Sequence, residues 1–149
     1  MPLDFLSPIH QASRQIGLHL AAPCGQAGLA PGEAHLLSYL GSYGPCPISE
    51  LHRVFGTKRS TLTSMLDRLS ARELVTREVD PADRRSVLVG LTREGRSLAR
   101  RVQGMVEDLE ARIRARVSRE EMKGFRAVMT AIAGVTRVEV RSTEKGHER

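Results

Sequence analysis

A chain of 149 residues can bury one real core, yet it contains no Trp, three Phe and two Tyr, so that core must be aliphatic. Lysine and arginine number 23 against 17 acidic residues, a formal charge of +6 that favours polyanionic partners and says nothing about fold. No apolar run of about 18 residues exists, and the N-terminus lacks the basic-then-apolar layout of a signal peptide, so a cytoplasmic protein without membrane contact is expected. From Leu3 to Ala22 the apolar residues Phe5, Leu6, Ile9, Ala12, Ile16 and Leu20 predict a helix with one sticky face, Pro8 falling in its first turn. Pro23-Cys24-Gly25 through Gly28 reads as a break. Pro31 then opens a second helix in the favoured first position, and Glu33 suits the positive end of its dipole. Gly44-Pro45 stops that helix after about Tyr43. Pro47-Ile48 is read as a short strand, and Ser49 to Phe55 as a short helix burying Leu51, Val54 and Phe55.

The stretch from Thr57 to Gly95 carries the strongest pattern. Leu62, Met65, Leu66 and Leu69 follow the i, i+3, i+4, i+7 spacing of one buried helical stripe, with Thr57 as its N-cap and Gly56 supplying the turn before it. The period then changes. Leu74–Val79 and Ser86–Leu91 are β-prone runs separated by Asp80-Pro81-Ala82-Asp83-Arg84-Arg85, a hairpin with a six-residue basic tip. A short helix, an amphipathic helix and a basic-tipped hairpin together predict a winged helix-turn-helix, a DNA-reading module. On a wheel of about 100° per residue, the side opposite the stripe carries Ser60, Ser64 and Ala71, flanked by Thr61, Thr63 and Arg68. Small hydroxyl residues allow close approach to base edges, and Arg68 can reach a guanine or a phosphate. Lys58 and Arg59 sit in the first turn, where cations and backbone N–H groups both suit phosphate. A merely solvated helix face is the alternative for the helix taken alone. Charge does not decide: residues 57–96 hold 9 basic and 6 acidic side chains.

Beyond the hairpin, Thr92 is placed to cap a long helix reaching about Val117, its stripe formed by Leu98, Val102, Met105, Val106, Leu109, Ile113 and Val117. Asp108 with Arg112 and Glu110 with Arg114 are i, i+4 ion pairs on its solvent side. Ser118-x-x-Glu121 is a capping box opening a last helix with Met122, Phe125, Val128, Met129, Ile132 and Val135 inward. The segment Arg141–Arg149 reads as a polar tail. The fold expected is mainly α with a small β-wing. It comprises one domain over 1–149, with a reading head at about 47–92 and dimerisation helices at about 3–22 and 93–140. A monomer would expose the stripes of the first and last two helices, which marks an interface unless they pack on one another.

Asp83-Arg84-Arg85, five residues, then Leu91-Thr92-Arg93-Glu94-Gly95 resemble the D-x-R-x5-L-T-x-x-G signature of the MarR family of bacterial transcription regulators. The segment Leu62–Val75 looks like that family's recognition helix and its exit into the wing, and the order of elements is similar from roughly Leu3 to Val138. The resemblance implies a homodimeric regulator, read here as a repressor with an activator as the alternative, bound to double-stranded DNA at a palindromic operator and modulated by a small effector. By position it makes Arg85 the wing arginine entering the minor groove, with Arg84 the next candidate, and Asp83 a wing brace acting through an arginine. It also places a small aromatic or anionic effector between the first two helices and the long helix, at the dimer seam, where His10, Arg14, His35 and Tyr39 offer polar groups and Arg14 attracts a carboxylate, the alternative for each being an ordinary helix-face residue.

Other chemistries find little support. No Ser-His-Asp order, paired carboxylates or phosphate-cradling glycine loop stands out, and the histidines are scattered, so no enzyme is expected. Cys24 and Cys46 lie in no CxxC or Cys/His cluster; no metal and no cofactor are expected, and the cysteines suit a reducing compartment. One branch of the resembled family senses oxidants through a thiol in its N-terminal helix, which leaves a redox-sensing regulator as an alternative, although Cys24 is read in a break. A wing domain used only for protein–protein contacts is the remaining alternative.

Overall fold

The computed structural model describes residues 3–137. The tail from Arg141 to Arg149, and the end of the last helix as read to about 140, lie outside the described residues. Backbone packing divides the chain into two compact units, Met1–Val106 and Glu107–Arg149. The first holds α1 (Leu6–Gln26), α2 (Pro31–Tyr43), β1 (Cys46–Pro47), α3 (Ile48–Phe55), α4 (Arg59–Ala71), β2 (Val75–Val79) and β3 (Val87–Leu91). α5 (Arg93–Arg114) begins in the first unit and ends in the second, which also holds α6 (Arg119–Thr136). Among the described residues no helix is long and apolar enough to cross a membrane, and no group of three His, Cys, Asp or Glu could hold a metal ion.

α2 runs through the middle of the first core. Its Leu36 and Leu37 are fully buried with Leu51 of α3, Leu62, Leu66 and Leu69 of α4, and Val89 of β3. Each such side chain contributes roughly 1.5–3 kcal/mol of transfer free energy. The core is aliphatic, as the composition demands. Its few aromatics gather at one end, where Tyr39 lies 4.8 Å from Tyr43 and 5.7 Å from Phe55 between ring centroids. The sheet is antiparallel in the order β1-β3-β2, with Val75 opposite Leu91 and Val79 opposite Val87. The short strand is Cys46–Pro47, one residue earlier than the sequence suggests, because Cys46 pairs with Val89 while Ile48 already begins α3.

Two helix boundaries differ from the sequence reading. α1 does not stop at Ala22 but passes through Pro23 to Gln26. A proline near a helix end forfeits one N–H bond, and Cys24 is 4% exposed in the core, so its burial favours the extra turn. The helix ends where Leu29 N–H reaches the Cys24 carbonyl and Gly28 turns at φ +71°. α5 ends at Arg114 rather than Val117, its last residues passing into a turn before Ser118.

In the second unit the capping box forms as read: Ser118 Oγ accepts the Glu121 N–H (3.2 Å) and Glu121 Oε2 accepts the Ser118 N–H (2.7 Å). Both expected i, i+4 pairs form, Glu110–Arg114 at 3.1 Å and Asp108–Arg112 at 3.7 Å. The stripe read as inward on α6 is only partly covered in the single chain: Met122, Val128, Met129 and Ile132 are half-buried, while Phe125 is 58% and Val135 84% exposed. A unit of one helix end and one helix has too little surface to bury it.

Candidate nucleic-acid interface

α3, the turn at 56–58 and α4 form a helix-turn-helix. Gly56 makes the turn possible: it closes α3 at φ +58°, a left-handed conformation that a side chain resists. Thr57 does not cap α4. Lys58 holds the cap position, with extended backbone and no side-chain hydrogen bond to the helix. The first N–H groups of α4 are therefore left without a protein side chain among the described residues, beside the Lys58 and Arg59 cations.

The stripe Leu62, Met65, Leu66 and Leu69 is buried as the spacing requires, which fixes the rotation of α4. Ser60, Thr61, Thr63 and Ser64 are exposed. Thr63 is partly engaged, its hydroxyl donating to the Arg59 carbonyl at 2.9 Å, while the others are open to a ligand. Arg68, read as reaching a guanine or a phosphate, is exposed but already carries a protein partner. Its Nε donates to Glu33 Oε1 at 2.7 Å, across 35 residues of chain. Asp67 accepts from Arg77 of β2 at 2.7 Å and so ties α4 to the wing.

The hairpin closes through its own carboxylates. Asp80 Oδ1 accepts the Ala82 N–H at 2.8 Å, and Asp83 Oδ1 accepts the Arg85 N–H at 3.0 Å. The loop between strands spans seven residues, 80–86, because Ser86 is held in the turn by its bond to the Asp83 carbonyl. Asp83 thus braces the tip through the Arg85 backbone and not through an arginine side chain; the carboxylate–arginine tie of the wing is Asp67–Arg77. Arg84 and Arg85 are both exposed at the tip. At the wing's base, Thr92 Oγ1 accepts the Gly95 N–H (2.9 Å) and donates to the Glu73 carbonyl (2.6 Å), the predicted cap with a second anchor.

Glu33 was legible only as a helix-dipole residue, and its position is unexpected. It is 5% exposed and accepts both Arg68 Nε and the Ala30 N–H (3.0 Å). Burial pushes its carboxyl up, but the Arg68 and Ala30 hydrogen bonds and the charges of Arg68 and Arg72 outweigh this and hold it below 4.5. Arg72, one turn after Arg68, donates to the Gly28 carbonyl. Two arginines of α4 and its C-cap therefore grip the connection into α2, and no local pattern announces that grip.

Of the four residues read as effector groups, the fold takes Tyr39 into the core and leaves the other three on exposed helix faces of the single chain. Tyr39 is 3% exposed and donates its hydroxyl to Glu50 at 2.8 Å, so it is a core residue tying α2 to α3. His35 is exposed at its outer edge while its ring lies 4.8 Å from Phe55, and the desolvation on that packed side pushes its imidazole pKa below 6.5. His10 and Arg14 are exposed on α1. A cavity of about 390 Å³ at the turn between α5 and α6, lined by residues including Arg114, Arg119, Lys123 and Arg126, contains none of the four. Cys24 sits inside α1, contrary to its reading in a break. Burial raises its thiol above the usual 9.0, away from the thiolate that reacts with oxidants.

Residues 29–87 match the sequence model of the MarR family. The HTH-type transcriptional regulator YsmB of Bacillus subtilis is 33% identical over 109 residues, covering 68% of this chain and 72% of that protein. The HTH-type transcriptional repressor NicR of Pseudomonas putida is 40% identical over 62 residues, and the match spans only 39% of its length. Among solved structures, S. aureus MepR in its DNA complex superposes with a TM-score of 0.78 over 90% of this chain and 99% of that one, at 19% identity, a likeness of fold.

Proposed function

Because the chain belongs to the MarR family of winged helix-turn-helix transcription regulators, we propose that it regulates transcription by binding double-stranded DNA, as a repressor. The observation that carries this reading is the exposed side of α4. Small hydroxyl residues Ser60, Thr61 and Ser64 lie on a helix whose rotation is fixed by a buried stripe, after a cationic first turn with no side-chain cap. In this reading Ser60, Thr61, Thr63, Ser64 and Arg68 meet base edges in the major groove, and Lys58 and Arg59 hold phosphates. Arg84 and Arg85 extend the contact into the flanking minor groove from a tip stiffened by Asp80 and Asp83. NicR is a transcriptional repressor and MepR is seen bound to DNA, and both support the same reading.

The functional species is a homodimer. Leu3, Phe5, Leu6, Ile16 and Leu18 at and on α1, Val106 and Ile113 on α5, and Phe125 and Val135 on α6 are exposed apolar residues that a monomer would leave in water. A two-fold dimer presents two copies of α4 and so reads a palindrome whose half-sites lie about one helical turn apart. A small aromatic or anionic effector adjusts the affinity, with His10 and Arg14 as polar groups on α1 available to it. Selection of bound duplexes from a random pool, followed by affinity measurement across a salt series, tests the reading. Enrichment of a palindrome with binding that weakens linearly in log salt is expected. No enrichment, with no affinity at low salt, would move the assignment to a wing used for protein contacts.

A further inference from the structure

Among the described residues, Glu33 is the charged side chain that the core buries. A carboxylate is kept ionised in such a place only when its partners satisfy it. One partner is local, the Ala30 N–H at the start of α2; the other is Arg68 on the exposed shoulder of α4, at 2.7 Å. The contact uses the Nε edge of Arg68. The guanidinium has five N–H donors in a rigid fork, so the Nη edge remains, and the Arg68 side chain is 57% exposed. A buried carboxylate, hydrogen-bonded on both oxygens, thus holds the inner edge of a guanidinium on an exposed side chain of the helix assigned to base reading. Arg72 adds a second tie one turn later, through the Gly28 carbonyl, and keeps α4 against the connection leading into α2, the helix that carries Glu33.

We propose that Glu33 is a positioning residue for DNA recognition, fixing the Arg68 guanidinium so that its Nη edge meets O6 and N7 of one guanine in the half-site. This rests on the reading of the chain as a DNA-binding regulator. A free arginine loses rotamer freedom on binding and can turn toward any nearby phosphate. One already bonded through Nε has a defined plane and loses little further entropy when it meets the base. The Glu33 charge also offsets much of the arginine's own, so hydrogen-bond geometry and not net charge sets the contact. Arg68 then discriminates among base pairs more than it adds to affinity for DNA in general.

The test uses the full chain and the duplex it selects from a random pool, with single-base-pair variants of that duplex. Arg68→Ala is expected to lose roughly 5- to 150-fold of discrimination at one G·C pair of the half-site. Arg68→Lys keeps the charge but lacks the fork, and should lose the same discrimination. Glu33→Gln keeps the side chain's shape and its acceptor for Ala30, and should lose part of the discrimination at that same base pair. In the Arg68→Ala background it should add nothing further. A change in folded fraction scales affinity for every duplex equally, so the ratio between duplexes does not respond to a merely structural role. If Glu33→Gln lowers stability and leaves every ratio at its wild-type value, Glu33 is a core ion-pair partner and the proposal is wrong. Retained discrimination in Arg68→Lys overturns it as well. Failure of the wild-type chain to enrich any duplex instead overturns the DNA-binding reading itself.

Discussion

Gly95→Ala offers a sharp test of how the wing is attached to the long helix, because helix propensity and packing predict opposite signs. Gly95 is the third residue of α5 and is buried there. A Cβ at this position would overlap the Leu74 carbonyl oxygen and lie 2.9 Å from the carbonyl carbon, both backbone atoms that no rotamer change can move. Relief requires the start of α5 and the entry to β2 to part by on the order of 1 Å, toward ordinary contact distances. That separation weakens the Thr92 N–H bond to Leu74 (3.1 Å) and the Thr92 hydroxyl bond to Glu73 (2.6 Å), which act between the same two segments. Overpacking costs about 1–3 kcal/mol and a weakened hydrogen bond about 1 kcal/mol. Replacing glycine by alanine inside a helix returns up to about 1 kcal/mol. The net expectation is a loss of about 1–3 kcal/mol, read as a fall in Tm of roughly 2–4 °C per kcal/mol for a chain of this size. A Cβ added at Gly104, further along α5, would meet nothing within 4 Å, so Gly104→Ala should raise Tm slightly. Urea and thermal unfolding followed by circular dichroism on both variants make the comparison. An unchanged or raised Tm in Gly95→Ala would refute the close approach as the reason a glycine stands there.

Further outcomes follow from the same contacts. Arg85→Ala should weaken operator binding and flatten the log–log salt slope by roughly one unit per lost phosphate contact while leaving Tm nearly unchanged; equal affinity at physiological salt would transfer the role to Arg84. Sedimentation of the full chain at low micromolar concentration should show dimer alone, and a folded monomer with full DNA affinity would end the dimer proposal. Glu33 has a lowered native pKa, so its contribution to stability is present above its ordinary 4.5 and is lost as the pH falls through the native value. The gap in Tm between wild type and Glu33→Gln should therefore close in acid; a gap independent of pH would contradict this. His35 is also lowered, from 6.5, so the unfolded chain takes up its proton first and stability declines as the pH falls below 6.5. His35→Gln should flatten that part of the Tm–pH curve, and an identical curve would remove His35 from it.

Sequence alone determined what depends on near neighbours. The stripe at Leu62, Met65, Leu66 and Leu69, the first-turn Pro31, the Ser118–Glu121 box and the Thr92 cap are all set by residues within about four positions, the range over which helix periodicity and capping act. The signature around Asp83 and Gly95 was legible only as a family resemblance; the Asp83 turn is local, but the glycine at 95 answers to the Leu74 carbonyl, 21 residues away. Tertiary structure decided what distant segments do to one another. Pro23 looked like a break until the burial of Cys24 carried α1 onward, and Tyr39 looked available until α3 brought Glu50 to its hydroxyl. Arg68 was readable as a DNA-facing residue, but its tie to Glu33 spans 35 residues, and that of Arg72 to Gly28 spans 44. Such pairs arise because α2 and α4 share one aliphatic core, which brings a buried carboxylate beside whichever cation lies on the facing shoulder. Side-chain periodicity specifies which face of a helix is buried; only the packed neighbour specifies which group waits there.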